Sequence, residues 1–294
     1  MTPFLNKLVI IGTGLIGGSF ALDLKRLGLV GEVVGVGRSP ENLERALQLG
    51  VIDHASRDAA TAVRDADLVL LSTPVGQMSG ILAQIAPHLA AHTLVSDAGS
   101  TKRDVAALFR QHLGHCLDRC VPAHPIAGSD LSGAAAARYS LYENRTVVLT
   151  PLVESRPETV ERIAALWSAC GAVIKTMSPD EHDSVFATVS HLPHLLAFAY
   201  VAQVAARPNA EACFDLASTG FRDFTRIAGS HPEMWRDIAL ANRTALLADL
   251  KDYHAALATV ISMVETSDGA AMAELFETAR DARTNWFQRF KAKS

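Results

Sequence analysis

The chain has 294 residues, a length that suggests about two domains. Apolar residues make up 49% and charged residues 20%, which is globular composition and excludes a disordered chain. With 27 Lys and Arg against 31 Asp and Glu the net charge is −4, which argues against a basic protein that coats nucleic acid.

The first residues run straight into a strand pattern and lack the layout of a signal peptide. No uninterrupted apolar run reaches the roughly 18 residues of a membrane-spanning helix, so no membrane partner is expected. Cys116, Cys120, Cys170 and Cys213 are too few to staple a chain this long. The expectation is a reduced, cytoplasmic protein.

In chain order, residues 8–11 read as a strand and 16–27 as a helix. Residues 32–36 read as the next strand and 40–49 as the next helix. Further strands are expected at 68–72, 93–96, 120–123, 146–150 and 173–176. Strands alternating with helices predict a mostly parallel sheet covered on both faces, a doubly wound α/β fold. Their continuous apolar runs fit strands buried on both sides. The pattern changes at Ser178, which can cap a helix opened by Pro179 with Glu181 in its first turn. Beyond it no segment reads as a strand. Trp235, Ile238, Asn242, Leu246, Leu250, Tyr253, Leu257, Val260 and Val264 follow helical spacing. The expected division is 1–178, α/β, and 179–294, all-helical. Helices apolar on more than one face need a partner surface, so a homodimer through the helical domain is expected.

Gly12-Thr13-Gly14-Leu15-Ile16-Gly17 matches G-x-G-x-x-G. The match follows a strand and opens a helix, the setting in which such a turn binds a dinucleotide and marks a Rossmann-type domain. Gly12 permits the turn, Gly14 the approach of the diphosphate, and Gly17 helix-on-strand packing. N–H groups from Leu15 and Ile16 open the helix toward the anion. The second strand ends in Gly37-Arg38-Ser39, with no acid to bond a ribose 2′-hydroxyl. Arg38 can pair with a phosphate dianion and Ser39 can donate to it, so NADP is expected to be preferred, with NAD also used if Arg38 merely stacks on the adenine. Ser72-Thr73-Pro74 closes another strand at the carboxyl edge, where it can line the cofactor.

Three clusters carry candidate chemistry. They are Ser96-Asp97-Ala98-Gly99-Ser100-Thr101-Lys102, His124-Pro125-Ile126-Ala127-Gly128-Ser129-Asp130, and Ser190-His191-Leu192-Pro193-His194 with Phe221-Arg222-Asp223-Phe224-Thr225-Arg226. Together with the opening GTGLIGGS, the stretches SDAGSTK, HPIAGSDLSG, SHLPH and DFTRIA resemble the prephenate/arogenate dehydrogenases of tyrosine biosynthesis. They fall in the family's order across residues 8–240.

The resemblance implies a nucleotide-binding domain, a helical dimerisation domain, and oxidative decarboxylation of a cyclohexadienyl substrate. It makes His124 the general base, a role suited to a neutral imidazole. Ser100 contacts the same hydroxyl, unless it merely caps a helix starting near Thr101. His194 binds substrate and His191 is structural. Arg226 binds a substrate carboxylate, for which a guanidinium fork is better suited than lysine. Asp223 and Thr225 would hold Arg226 in place. Asp130 and Arg222 correspond to a gating ion pair. A regulator without turnover would lack one of His124, Ser100 and Arg226. A 3-hydroxyacid-type dehydrogenase would show a catalytic lysine after a Gly-rich segment, which neither Lys175 nor Lys251 supplies. His115, Cys116 and Cys120 match no zinc spacing, so no metal is expected.

Overall fold

A computed structural model describes residues 4–128 and 131–291. By compactness the chain forms one unit over residues 1–243 and a second over 244–294.

The first unit is built on strands β1 (Leu5–Ile11), β2 (Val30–Val36), β3 (His54–Ser56), β4 (Leu68–Leu71), β5 (Leu94–Asp97) and β6 (Cys120–Val121). They form a parallel sheet in the order β3-β2-β1-β4-β5-β6. The order reverses between β1 and β4, and ligands of open α/β sheets bind at such a switch point. The helices of this part are α1 (Leu15–Arg26), α2 (Pro40–Gln48), α3 (Ala59–Ala62), α4 (Val75–Ile85), α5 (Arg103–His112) and α6 (Pro157–Ala169). One core, with Leu8, Ile10, Leu68, Leu70, Phe20 and Trp167, lies on one face of the sheet. Another, with Val9, Ile11, Val69, Leu71, Phe109, Cys116 and Cys120, lies on the other. The alternation along β1 and β4 sorts these residues between the two faces.

The structure departs from the single expected sheet in one place that matters. The predicted strand at 120–123 is split by Pro122, which has no N–H for the ladder. Beyond it, β7 (Ala123–Pro125) joins a second sheet, antiparallel to β8 (Thr146–Leu149), which runs parallel to β9 (Val173–Thr176). His124 pairs with Val148 in this sheet. The switch carries His124 past the end of β6 instead of leaving it within a longer strand.

From residue 179 the described chain is helical. Ser178 caps α7 (Pro179–Phe186) by accepting from Glu181 N at 3.1 Å. A π-helical turn, Ala187–His191, leads into α8 (Leu192–Ala205). Pro193 removes the N–H that the Val189 carbonyl would otherwise take, which favours a wider turn there. The first unit also contains α9 (Ala210–Asp215), α10 (Thr219–Thr225) and α11 (Pro232–Ala241). Here α7 packs on α5 and α11 on α4. That packing is why the compact unit runs through Arg243 and does not break near 178. The continuous run Pro179–Ala205 is also long and apolar enough to cross a membrane by length and composition alone. A search for uninterrupted apolar runs misses it because polar residues interrupt it. In this fold it packs through buried His182, Asp183 and His191 against protein groups.

The second unit holds helices α12 (Arg243–Glu265) and α13 (Gly269–Lys291). Tyr253, Leu257, Ile261 and Val264 form an exposed stripe along α12. Their spacing puts them on one face of the helix.

Candidate active site

The glycine turn fits a dinucleotide. Gly12 holds φ at 104°, and a Cβ there would stand 2.5 Å from the Ser72 carbonyl oxygen. A Cβ on Gly17 would stand 2.6 Å from the Gly12 carbonyl oxygen, so helix and strand meet with no room to spare. At Gly14 the opposite holds: a Cβ would meet nothing within 4 Å, and that open side is where a diphosphate can approach. Gly14 caps α1 without a side-chain bond, so the first-turn N–H groups of Leu15 and Ile16 remain for an anion. Ser72 Oγ donates to the Gly12 carbonyl at 2.6 Å and braces the turn from the neighbouring strand. Beside it the buried Thr73 Oγ1 has no protein partner, and Pro74 is exposed. An orphaned hydroxyl at this edge suits a polar ligand.

At the end of β2, Arg38 and Ser39 are both exposed. Ser39 has local duties. Its Oγ accepts from Asn42 N at 3.1 Å, capping α2, and donates to Glu41 at 2.7 Å.

Ser100 lies half-buried in the loop between β5 and α5. It is not a helix cap: α5 begins at Arg103, with Lys102 at the cap position. The loop is tied to His124 by a buried ion pair. Lys102 and Asp97 are fully buried and paired, and Lys102 Nζ also donates to the Ala123 carbonyl at 2.8 Å. Asp97 accepts from Gly99 N at 2.7 Å and Ala123 N at 3.1 Å. Both backbone polar groups of Ala123 are therefore held, and the next residue is His124.

His124 is half-buried, and its Nδ1 lies 2.8 Å from His182 Nε2. Burial, with the Lys102 ammonium and the imidazoles of His182 and His191 nearby, holds His124 well below the ordinary histidine value. It is neutral at neutral pH. Burial likewise lowers His182, although Asp183 opposes the shift. Burial also pushes His191 down to about 4, again against Asp183. Asn242 Nδ2 bonds the Asp183 carbonyl at 2.7 Å and His191 Nδ1 at 3.0 Å, so His191 serves the framework.

His194 stacks on Trp235 with ring centroids 3.5 Å apart. Its Nδ1 donates to the Ser190 carbonyl at 2.8 Å, which leaves Nε2 as an acceptor. Burial lowers its pKa against the Ser190 bond, and the charge of nearby Arg226 lowers it further. Arg226 is exposed at the end of α10, where the chain turns beneath α8. Asp223 pairs with Arg222 at 3.0 Å, and Thr225 donates to the Phe221 carbonyl at 2.6 Å. Asp130, the expected gate partner of Arg222, lies outside the described residues.

Sequence reasoning missed His182, Asp183 and Trp235 as site residues and quoted Lys102 without a role. Cys116 and Cys120 are buried thiols, with Cys120 Sγ donating to the Cys116 carbonyl at 3.3 Å.

Residues 20–176 match the family described as prephenate dehydrogenase, nucleotide-binding domain. Residues 178–278 match prephenate dehydrogenase, dimerization domain. A prephenate dehydrogenase of Bacillus subtilis is 36% identical over 288 residues, covering 96% of this chain and 76% of the relative. A cyclohexadienyl dehydrogenase of Zymomonas mobilis is 34% identical, with 96% of each chain covered. The crystal structure of prephenate dehydrogenase from Aquifex aeolicus with hydroxyphenyl propionate and NAD+ superposes with a TM-score of 0.88 at 34% identity. That match covers 95% of this chain and 98% of the other.

Proposed function

This chain belongs to the prephenate dehydrogenase family, whose reaction in tyrosine biosynthesis it performs, and we propose that His124 is its base and that Arg226 and His194 hold the substrate. The substrate is prephenate, arogenate or both, and the product 4-hydroxyphenylpyruvate or tyrosine. The observation that carries the reading is His124, half-buried just past the end of β6, with Nδ1 2.8 Å from His182 Nε2 and its backbone following Ala123, which Asp97 and Lys102 hold.

Gly12, Gly14, Leu15, Ile16 and Gly17 would hold a nicotinamide dinucleotide, lined by Ser72, Thr73 and Pro74, which would accept the hydride that leaves the hydroxyl-bearing ring carbon. His124 takes the proton of the ring hydroxyl as its carbonyl forms. The ring carboxylate leaves as carbon dioxide and the ring becomes aromatic, which makes the overall reaction effectively irreversible. Ser100, in the loop tied to the strand of His124, orients the same hydroxyl. Arg226 pairs with a substrate carboxylate, and His194 offers a bare nitrogen beside it.

Arg226→Ala is expected to raise KM about 10-fold or more with kcat changed far less, since a hydrogen bond to a charged group is worth about 1.5–3 kcal/mol. Steady-state kinetics checks this. A fall in kcat with KM unchanged would move Arg226 out of substrate binding.

For the cofactor, NADP over NAD is supported by the exposed Arg38 and by the lack of an acid at the end of β2. Because Ser39 is engaged by Glu41, Arg38 carries that preference alone. A cytoplasmic setting fits the buried free thiols of Cys116, Cys120 and Cys170. A homodimer through the helical domain, 179–294, would cover the apolar stripe on α12.

The test is an initial-rate assay that crosses prephenate and arogenate with NADP and NAD. Turnover with at least one substrate, faster with NADP, is expected. Faster turnover with NAD would transfer ribose selection from Arg38 to Glu41. No turnover in any combination would remove the function.

A further inference from the structure

Asp183 is fully buried, and both its oxygens are occupied. Oδ1 accepts from Lys102 N at 2.8 Å, and Oδ2 accepts from Arg103 N at 2.9 Å. These two donors open α5, so the carboxylate of α7 caps a helix of the α/β part. Oδ1 also lies 2.8 Å from His182 Nδ1. Burial works against its charge, but hydrogen bonds from His182 and the two backbone N–H groups hold the carboxyl below the usual range. An ionised carboxylate only accepts. His182 Nδ1 must therefore carry the hydrogen, which leaves Nε2 of neutral His182 with a lone pair. That lone pair faces His124 Nδ1 at 2.8 Å, so His124 Nδ1 donates and His124 Nε2 is bare.

We propose that His182 and Asp183 are positioning residues that fix His124 in the tautomer whose Nε2 accepts a proton. The proposal builds on the reading of His124 as base. Ring packing supports it independently of the hydrogen bonds. His182 stacks on Phe186 with centroids 4.4 Å apart, and His124 packs on the same ring at 4.9 Å. Neither imidazole can turn over without disturbing Phe186. The Asn242 bond to the Asp183 carbonyl pins the backbone of the pair. Nitrogen signals from the protein labelled with 15N-histidine, assigned through His124→Asn, read the tautomers directly.

In the wild-type protein both His124 and His182 are expected as Nδ1–H. His182→Leu removes the acceptor: kcat should fall at least about 10-fold, with KM within about three-fold and His124 no longer held as Nδ1–H alone. His182→Gln, whose amide can both accept and donate, should recover most of the rate. A wild-type His124 carrying its hydrogen on Nε2 would overturn the proposal. So would His182→Leu with kcat within about two-fold of wild type, or with kcat lost and the His124 tautomer unchanged. If a variant does not fold, the wild-type spectrum decides. The two readings separate cleanly, because an unchanged kcat in His124→Asn removes the base while the spectrum still reports the tautomer.

Discussion

His124→Asn is expected to lower kcat by about 10²- to 10⁴-fold, the range that a positioned general base contributes, with little change in KM. The amide is shorter than imidazole but keeps a donor for His182, so the fold loses little. What it lacks is the bare ring nitrogen that takes the hydroxyl proton. The neighbours of His124 leave it few other roles. Its Nδ1 is engaged by His182, and its backbone follows Ala123, which Asp97 and Lys102 hold on both sides. Binding groups lie elsewhere, on Arg226 and His194, so the substrate should still bind. Steady-state rates with binding of reduced cofactor as a control separate the cases. A kcat within about three-fold of wild type would take the base away from His124.

The largest stability effect is expected at Lys102. Its ammonium is fully buried, paired with Asp97 and bonded to the Ala123 carbonyl. Lys102→Met leaves an unpaired carboxylate in the interior, a change that costs about 3–5 kcal/mol. Against a total of about 5–15 kcal/mol, that is a large fraction of the stability. Urea unfolding measures it. The double variant Asp97→Leu with Lys102→Met should regain part of the loss, because no lone charge remains. Recovery is incomplete, since the N–H groups of Gly99 and Ala123 lose their acceptor. A single variant as stable as wild type would mean that Asp97 and Lys102 are not paired in solution.

Much of the fold could be read from local pattern. The strands that became β1, β2, β4 and β5 are continuous apolar runs, and the Gly12–Gly17 turn announces its own geometry. Ser178 and Pro179 mark the start of α7 because capping is local chemistry. The second sheet was not legible, since its cause is a single missing N–H at Pro122 and a long-range pairing of residue 124 with residue 148. The extent of the compact unit past residue 178, to residue 243, is likewise not a local property. It depends on α7 packing against α5 and α11 against α4, which no window of sequence displays.

The site divides in the same way. His124, His194 and Arg226 stand in motifs and could be named. His182 and Asp183 could not, because adjacent residues near a helix start look like an ordinary polar first turn. Their meaning appears only when Lys102 and Arg103 N–H groups, about 80 residues earlier, turn out to be their partners. Ser39 looked like a phosphate donor until its capping bonds were visible.

The pH dependence of kcat/KM, with the faster substrate and from about pH 4.5 to 9, tests the neutral base most directly. A base whose pKa is lowered by burial stays competent through neutral pH and is lost only as pH falls through its folded value. The acid limb should therefore lie below the ordinary histidine value of about 6.5, fall by one proton, and vanish with the residual rate of His124→Asn. An acid limb centred at pH 7 or above would mean that His124 is protonated in the resting enzyme, and would contradict the account.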